Sequence, residues 1–250
     1  MAVSIKSARE IELMREAGKR LAHVHQELEA MIAPGISTWE IDAKGEKLIR
    51  DCGCIPNFLH YNGYPASICV SVNDEVVHGI PRKDRYLKEG DIVSLDAGLI
   101  YKGYHSDAAR THAVGKVSTE AQKLMDVTKQ SFFEGIKMAK EGQHLHDISR
   151  AIEEYVTPYG YGIVRDLVGH GIGTALHEDP QIPNFPQKRR GVKLLPGMTL
   201  AIEPMINAGT WQVRFLRDGW TVVTKDGSLS AHYENTILVT DGEPEILTLY

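Results

Sequence analysis

Two acidic residues of this chain stand in segments that otherwise have the composition of buried β-strands. Asp96 lies in the apolar run 91–99, and Asp107 follows it in the segment 104–107. A hairpin with a four-residue loop at 100–103 would place Asp96 directly opposite Asp107, on one face and with Cβ atoms about 5 Å apart. Two like charges about 4 Å apart repel by about 4 kcal/mol even at an effective dielectric constant of about 20. Such a pair therefore needs compensation.

Two further carboxylates occupy comparable positions in the second half of the chain. Glu203 ends the apolar segment 198–203, and Glu234 lies within the strand-like segment 231–239. Four converging carboxylates cannot all stay ionised and buried unaided, whereas two divalent cations would balance their charge. Each residue on its own also has an ordinary interpretation, since an acidic residue in a strand can face solvent or pair with arginine. The pattern leaves both interpretations open.

Three histidines stand beside glycines or tight turns, where a side chain can approach a ligand closely. His170 lies in the glycine-rich segment 169–173. As a ligand beside carboxylates it would favour Mn, Fe, Co or Zn over Ca or Mg, although a loop histidine can also be a hydrogen-bonding residue. His78 and His177 have no ligand partner at i+4, which makes them candidates for proton donation or substrate contact. We assign structural or surface roles to the remaining histidines, which are His23, His25, His60, His105, His112, His144, His146 and His232.

The predicted elements repeat at a constant distance along the chain. Ser7 and Ser37 begin two helices, and a second pair of helices follows between 118 and 157. An offset of 107 residues relates Gly35 to Gly142, Ile41 to Ile148, Gly53 to Gly160, and Asp96 to Glu203. A shared helix-helix-strand order at constant offset predicts two copies of one α/β unit, with matched strands facing each other across a central cleft.

Length and composition narrow the class of protein. The chain fits one domain, residues 1–250, and the repeat divides it into halves of about 1–112 and 113–250. With 42% hydrophobic and 24% charged residues, it is neither a disordered chain nor a small disulfide scaffold. A net charge of −5 provides no cationic field for nucleic acid or anionic lipid, and no apolar run approaches the roughly 18 residues of a membrane span. Three cysteines without a secretory leader predict a cytoplasmic protein.

Five segments of the sequence resemble those of a known family. They are 71–81 (SVNDEVVHGIP), 169–173 (GHGIG), 202–205 (IEPM), 218–222 (DGWTV) and 233–236 (YENT). Together and in this order they are specific, and the resemblance to type I methionine aminopeptidases of the short bacterial form extends over essentially all 250 residues. The resemblance implies an α/β (α+β) pita-bread fold, in which two pseudo-symmetric helix-helix-strand halves surround a central antiparallel sheet.

The resemblance also implies roles for individual residues. It implies two divalent metal ions per chain (Co, Mn, Fe or Zn), with the ligands Asp96, Asp107, His170, Glu203 and Glu234. Asp107 and Glu234 would bridge the ions, and Glu203 would also accept a proton from water. His78 and His177 would contact the substrate and the tetrahedral intermediate. The methionine side chain would occupy a pocket formed by Phe58, Tyr61, Tyr64, Cys69, Leu176 and Trp220.

The chain departs from the family pattern at three positions. Asn235 stands where histidine is frequent, Leu176 where phenylalanine is frequent, and Phe58 where cysteine sometimes occurs. All five ligand positions are intact, so these departures concern the shape of the pocket.

The activity that the resemblance implies is removal of the initiator methionine from nascent polypeptides. A hydroxide shared by the two ions would attack the first peptide bond, and a narrow mouth would favour a small second residue. The expected partners are nascent or short polypeptides with an N-terminal methionine, with a transient association with the ribosome. We expect a cytoplasmic monomer that binds neither nucleic acid nor membrane.

Two alternative functions belong to the same fold. Xaa-Pro-type aminopeptidases usually carry an N-terminal domain of their own, for which this chain has no length before its first helix. A non-catalytic peptide-binding relative would lose metal ligands, whereas all five candidates are present here. Both alternatives are therefore less well supported than the methionine-specific enzyme.

Overall fold

The computed structural model describes residues 3–249 of the chain. Over these residues the protein forms four α-helices, which are α1 (Ala8–Glu29), α2 (Thr38–Asp51), α3 (Thr119–Ile136) and α4 (Leu145–Val156). Ser7 and Ser37 cap α1 and α2, each in a capping box with a glutamate three residues later, as the sequence predicts. None of these helices combines the length and the apolar composition that crossing a membrane requires.

Fifteen β-strands form most of the remaining regular structure of the described chain. They are β1 (Ile55–Pro56), β2 (Ile68–Val72), β3 (Glu75–Val77), β4 (Ile92–Tyr101), β5 (Tyr104–Ala113), β6 (Gly162–Ile163), β7 (Gly169–Gly171), β8 (Glu178–Ile182), β9 (Thr199–Ile202), β10 (Met205–Asn207), β11 (Val213–Phe215), β12 (Val222–Thr224), β13 (Ser230–His232), β14 (Glu234–Leu238) and β15 (Glu245–Ile246). Nine of them form one sheet with the path β1-β4-β5-β14-β9-β7-β8, to which β2 adds on β4 and β15 on β14. The orders β13-β10-β6 and β11-β12-β3 describe two smaller sheets.

The two halves of the chain repeat each other in backbone detail. Ser37 forms an isolated bridge with Tyr86, and His144, 107 positions after Ser37, forms one with Lys193, 107 positions after Tyr86. Glycines with left-handed backbone recur at the same offset, in the pairs Gly35 (φ +93°) and Gly142 (+87°), Gly53 (+70°) and Gly160 (+74°), and Gly90 (+89°) and Gly197 (+92°). Because L side chains rarely adopt this conformation, the repeated turns explain the repeated glycines. The predicted internal repeat is therefore present in the fold.

The halves join in the middle of the large sheet. β5 of the first half pairs with β14 of the second, and the sheet is antiparallel on both sides of this seam. The matched strands β4 and β9 flank the seam within one sheet, so the expectation that they face each other across a cleft is wrong. Edge-to-edge pairing is favoured because it satisfies backbone groups of β5 and β14 that would otherwise lie at open sheet edges.

The hairpin between β4 and β5 is tighter than the sequence pattern predicts. Tyr101 pairs with Tyr104, which reduces the predicted four-residue loop to Lys102 and Gly103. These two residues have φ angles of +49° and +85°. Positive φ at both positions is typical of a type I′ turn, whose twist suits a two-residue hairpin.

The tighter turn shifts the register of the two acidic residues. Asp96 pairs with Ala109, and Asp107 pairs with Gly98, so the predicted direct pairing of Asp96 with Asp107 is wrong. Because Asp107 lies two residues from Ala109, it still points to the same face of the sheet as Asp96. The two carboxylates are therefore diagonal neighbours instead of opposed ones.

The helices cover the other face of this sheet. One hydrophobic cluster joins residues of α1 and α2 to alternate positions of β4, which are Val93, Leu95, Ala97 and Leu99. A second cluster joins α3 and α4 to Leu200 and Ile202 of β9 and to Ile237 of β14. Since side chains alternate along a strand, the intervening positions, including Asp96, point away from the helices.

We expect substitution of Gly103 by alanine to destabilise the protein by about 1 kcal/mol, the cost of a left-handed non-glycine residue. Space is not limiting, since a Cβ at Gly103 would meet nothing within 4 Å. The free energy of unfolding, measured by urea titration, tests this expectation. Lys102→Asn serves as the matched control, because asparagine is favoured in this turn, and it should cause no loss. Equal destabilisation by both changes would contradict the turn assignment.

Candidate metal centre and active site

On the sheet face opposite the helices, side chains form two rows that run across the strands. The first row passes through directly paired positions of neighbouring strands, which are Cys69, Asp96, Ala109 and Glu234. The second row lies two residues further along these strands and contains Gly98, Asp107, Thr236, Ala201 and His170. Paired residues and residues two apart share a face, so both rows point to the same side. The sheet register thus gathers ligand-type residues from both halves.

Small residues separate the longer ones within each row. Ala109 stands between Asp96 and Glu234, and Ala201 stands between Thr236 and His170. Both alanines are fully buried. Because a methyl group occupies little space above the sheet, the side chains on either side can converge over it.

The rows are tied together across the seam by Thr236. Its Oγ1 accepts a hydrogen bond from the backbone N of Asp107 at 3.0 Å and donates one to the backbone O of the same residue at 2.9 Å. These two bonds link β14 to β5 through a side chain where the strand pairing itself ends. They fix the position of Asp107 relative to the second half of the protein.

Glu203 joins the group from just beyond the end of β9. Its side chain is 13% exposed, and its Oε1 lies 3.6 Å from Nε2 of His170. The same Nε2 lies 3.9 Å from Oδ2 of Asp107. These separations are too long for hydrogen bonds. They suit two ligands of one ion, since ligand atoms about 2.1 Å from an ion lie about 3 to 4 Å apart.

Two groups of three residues can each bring their ligand atoms together around one ion. One group is Asp107, His170 and Glu234, and the other is Asp96, His232 and Glu234, with ligand atoms within 4.8 Å of one another in each. Glu234 belongs to both groups. A carboxylate that belongs to both groups could bridge two neighbouring ions.

Several oxygens of the site have no hydrogen-bond partner within residues 3–249. They are Asp96 Oδ1, Asp107 Oδ1 and Glu234 Oε1, all of them buried. Buried polar atoms are normally paired, because leaving them unpaired costs free energy. Divalent cations would satisfy these oxygens and neutralise their charge, so the residues present fit a metal centre of mixed oxygen and nitrogen ligands.

The carboxyl groups resist ionisation in the absence of cations. Burial raises the pKa of Asp96 to about 7. Burial, followed by the negative charge of Asp96, raises the pKa of Asp107 and of Glu203 well above the usual range. The pKa of Glu234 is raised well above its usual range by burial and then by the charge of Asp107. Each bound cation would reverse this effect, because positive charge favours the ionised form.

His170 is oriented by its own chain. Its Nδ1 donates a hydrogen bond to the backbone O of Gly171 at 2.9 Å, which leaves Nε2 as the nitrogen that faces the carboxylates. Burial lowers the pKa of His170 to about 3, so the ring is neutral and keeps a lone pair. A carbonyl that accepts from the outer nitrogen is the usual support of a metal-binding imidazole.

His78 and His177 border the carboxylate group at the cavity wall. The ring of His177 lies 4.3 Å from that of His170 between centroids, and its Nδ1 lies 2.7 Å from the hydroxyl of Tyr61. His78 has a left-handed backbone, with φ of +59°. The next residue, Gly79, allows the chain to pass close to β2, since a Cβ on Gly79 would lie only 2.3 Å from the backbone O of Val70. Strained backbone of this kind is frequent at functional sites.

An apolar and aromatic wall completes the cavity, whose volume is about 430 Å³. Tyr64 and Trp220 meet edge to face with ring centroids 5.2 Å apart. The hydroxyl of Tyr64 donates to the backbone O of Gly79 at 2.9 Å, so its ring is fixed. Asp218 Oδ1 accepts hydrogen bonds at 2.9 Å from the backbone N of Trp220 and of the next residue, which holds the indole in place.

All thirteen site residues expected from the sequence line this one cavity. They are Phe58, Tyr61, Tyr64, Cys69, His78, Asp96, Asp107, His170, Leu176, His177, Glu203, Trp220 and Glu234. His232, for which the sequence indicates a structural or surface role, is 1% exposed, and its Nε2 lies 3.8 Å from Glu234 and 3.9 Å from Glu203. The signal that could have found it is strand alternation, because it precedes Glu234 by two residues.

Comparisons with known proteins agree with this geometry. Residues 12–241 match metallopeptidase family M24. The chain is 54% identical to the methionine aminopeptidase of Clostridium acetobutylicum over 247 residues, 99% of each chain. It is also similar to the crystal structure of a methionine aminopeptidase from Thermotoga maritima, with a TM-score of 0.97, 46% identity and 100% coverage of both chains. All five candidate ligands lie within the matched range.

A relative with different specificity is less similar. The Xaa-Pro dipeptidase from Bacillus anthracis has a TM-score of 0.78 and 26% identity, and the match covers 98% of this chain but 61% of that one. The fold is therefore shared with a wider group of peptidases. The greater identity and the mutual full coverage both favour the methionine aminopeptidases.

We expect the raised pKa of Asp96 to make the metal-free protein respond to pH. The unfolded chain ionises this residue at pH of about 4, so the stability it contributes when protonated is lost as pH rises from about 4 through about 7. Asp96→Asn cannot ionise. Its free energy of unfolding relative to wild type should therefore increase over this range by a few kcal/mol, because a tenfold change in proton affinity is worth about 1.4 kcal/mol.

The measurement is urea unfolding of both proteins in EDTA at several pH values. Asp166→Asn, at an exposed position, serves as the control and should show no such trend. With divalent metal added, the order of the wild type and Asp96→Asn should reverse. A constant difference between Asp96→Asn and wild type across the pH range would contradict the expected ionisation cost.

Proposed function

Because the chain belongs to the methionine aminopeptidases of metallopeptidase family M24, we propose that it removes methionine from the N-terminus of polypeptides by metal-dependent hydrolysis. The observation that carries the proposal is the convergence of four largely buried carboxylates and His170 on one cavity with an apolar, aromatic wall. A metal centre alone would suit many hydrolases. The adjoining apolar wall adds a preference for a hydrophobic first side chain.

We propose that two divalent ions of Co, Mn, Fe or Zn bind per chain, with the ligands Asp96, Asp107, His170, Glu203 and Glu234. Glu234 suits a bridging role because it belongs to both groups of ligand atoms, and Asp107 is the proposed second bridge. When bound, such ions lower the pKa of water, polarise the scissile carbonyl and attract the lone pair of a free α-amino group. The last effect would restrict cleavage to the first residue.

Glu203 is the proposed proton acceptor during hydrolysis. Its side chain is 13% accessible, whereas those of Asp107 and Glu234 are 6% and 3% accessible. Because Glu203 borders the cavity and is partly accessible, its carboxylate can take a proton from water there and pass it to the leaving amine. This accessibility supports Glu203 over Asp107 and Glu234 for this role.

His78 and His177 are the proposed contacts to the substrate carbonyl and amide. Burial, with His177 beside it, lowers the pKa of His78 to about 4, so the His78 ring is neutral near pH 7. A neutral imidazole can donate one hydrogen bond without adding a charge that would repel cations in the site. Such a bond is strongest as negative charge develops on the carbonyl oxygen.

The methionine side chain is proposed to occupy the aromatic part of the cavity. Tyr64 and Trp220 offer ring edges and faces to a thioether, whose polarizable sulfur interacts favourably with aromatic groups. Phe58 and Leu176 belong to the same hydrophobic cluster and would limit the depth available to the side chain. A small second residue would be preferred where the chain of the substrate leaves the cavity.

We also propose a cellular setting that suits this activity. The substrates would be nascent or short polypeptides with an N-terminal methionine, met in the cytoplasm through a transient association with the ribosome. Residues 1–250 would act as one catalytic domain and as a monomer, since the ligands come from both halves of a single chain. Neither nucleic acid nor membrane is a proposed partner.

We expect Asp107→Ala and Glu203→Gln each to lower kcat/KM for a Met-Ala-Ser peptide by at least about 100-fold, because the first removes a bridging carboxylate and the second a proton acceptor. Release of methionine by metal-loaded protein is the measurement. Glu243→Gln is the matched control, since this exposed carboxylate bonds to Lys140 and neither residue lines the cavity. Near-normal rates in either site variant, or preferential cleavage of an Ala-Pro-Ser peptide by wild type, would overturn the proposed activity.

We expect His78→Ala to lower kcat about 100- to 1,000-fold, the usual effect of losing one donor to an oxyanion, while two metal ions per chain are retained. Metal analysis of the purified variant accompanies the kinetics. His60→Ala is the control for replacing a histidine in left-handed backbone, because His60 has φ of +67° and is exposed. Loss of one metal ion from His78→Ala would instead make His78 a ligand.

A further inference from the structure

His232 is a buried imidazole that lacks hydrogen-bond partners. It ends β13, and 1% of its surface is exposed. Neither Nδ1 nor Nε2 has a hydrogen-bond partner within residues 3–249. Its backbone, by contrast, is anchored, since its N–H donates to Thr111 Oγ1 at 2.9 Å. A fixed, buried and unpaired imidazole indicates that a group outside the polypeptide satisfies its nitrogen.

The ring of His232 is aimed at the carboxylates. Nε2 lies 3.8 Å from Glu234 Oε2 and 3.9 Å from Glu203 Oε2. Both separations exceed a hydrogen bond, so His232 does not simply support either carboxylate. They match the spacing of atoms that share one ion.

The position of His232 mirrors that of His170 around the shared carboxylate. His170 groups with Asp107 and Glu234, and His232 groups with Asp96 and Glu234. Each group contains two carboxylates and one imidazole. Without His232, the ligands on the side of Asp96 would be oxygens alone.

We propose that His232 is a sixth ligand of the dinuclear centre and binds through Nε2 the ion held by Asp96. The inference rests on the proposed metal-dependent function, and it adds a nitrogen to an ion whose other proposed protein ligands are carboxylates. An imidazole nitrogen suits transition metals such as Fe and Zn better than Mg or Ca, which prefer oxygen ligands. His232 therefore helps to select which metals the centre accepts.

The test is a count of histidine ligands in the cobalt-loaded full-length protein. An imidazole bound through Nε2 keeps a proton on Nδ1, and a paramagnetic Co²⁺ ion shifts the NMR signal of that exchangeable proton far from the usual range. With two Co²⁺ ions bound, wild type should give two such signals, one from His170 and one from His232. Because this count is made on wild type, it does not depend on the folding of a variant.

His232→Gln should lose one of the two shifted signals and keep the other. One of its two Co²⁺ dissociation constants should rise at least about tenfold, the lower end of the effect that even residues outside the ligand shell can produce. His112→Gln is the matched control. His112 and His232 both line a second cavity, on the side of Arg110 and Thr111. The Nε2 of His112 is also unpaired among residues 3–249, but its Nδ1 faces Glu29 at 3.9 Å instead of the metal centre. His112→Gln should keep both signals and both dissociation constants.

A single shifted signal in wild type with two Co²⁺ ions bound and normal peptide cleavage would overturn the role of His232 and leave the proposed function intact. Retention of both signals in folded His232→Gln would overturn it equally. Failure of wild type to bind two ions or to cleave the Met-Ala-Ser peptide would overturn the proposed function, and the ligand assignment with it.

Discussion

The confinement of like charges is the constraint on which the rest of the structure depends. Asp96, Asp107, Glu203 and Glu234 lie over a few residues of one sheet face, and burial raises the pKa of each of them. Two charges about 4 Å apart repel by several kcal/mol even in a moderately polar medium. Natural proteins tolerate such a cost where function requires it, and cations remove it. The scaffold must therefore be rigid enough to hold the acids together before any ion arrives.

That rigidity comes from a repeated unit joined through backbone pairing. Each half covers its part of the sheet with two helices, and apolar residues at alternate strand positions form the core beneath them. The seam between β5 and β14 makes the two halves one sheet, and Thr236 adds two hydrogen bonds to Asp107 across it. Since the acids are distributed over both halves, binding of ions and association of the halves reinforce each other.

Much of this organisation could be predicted from the sequence, and the failures have physical causes. The capping boxes and the turn glycines are local signals, so the helices and the 107-residue repeat were predictable. The predicted register of the β4–β5 hairpin was wrong because the length of the turn depends on the φ angles of Lys102 and Gly103, which the residue types alone do not determine. The expectation that β4 and β9 face each other across a cleft was wrong. The two strands that pair at the seam, β5 and β14, are far apart in the chain, so no local sequence signal shows that they join the halves into one sheet. The placement of His232 beside Glu203 and Glu234 was not predicted, because a lone histidine in a sequence does not show which face of the sheet it occupies. The roles assigned to the thirteen residues of the cavity remain predictions.

The small residue at the centre of the first row has a consequence for tolerance to sequence change. Asp96 and Glu234 are separated by Ala109 and hence by two strand spacings of about 4.8 Å each. The hydrogen-bonded backbone of the sheet, and not a flexible loop, therefore sets the distance between the two acidic residues. Surface loops can lengthen or change composition without altering that distance. A larger side chain at position 109 would fill the space between Asp96 and Glu234. Ala109 is therefore among the least replaceable residues of the site, although its methyl group takes no part in the chemistry.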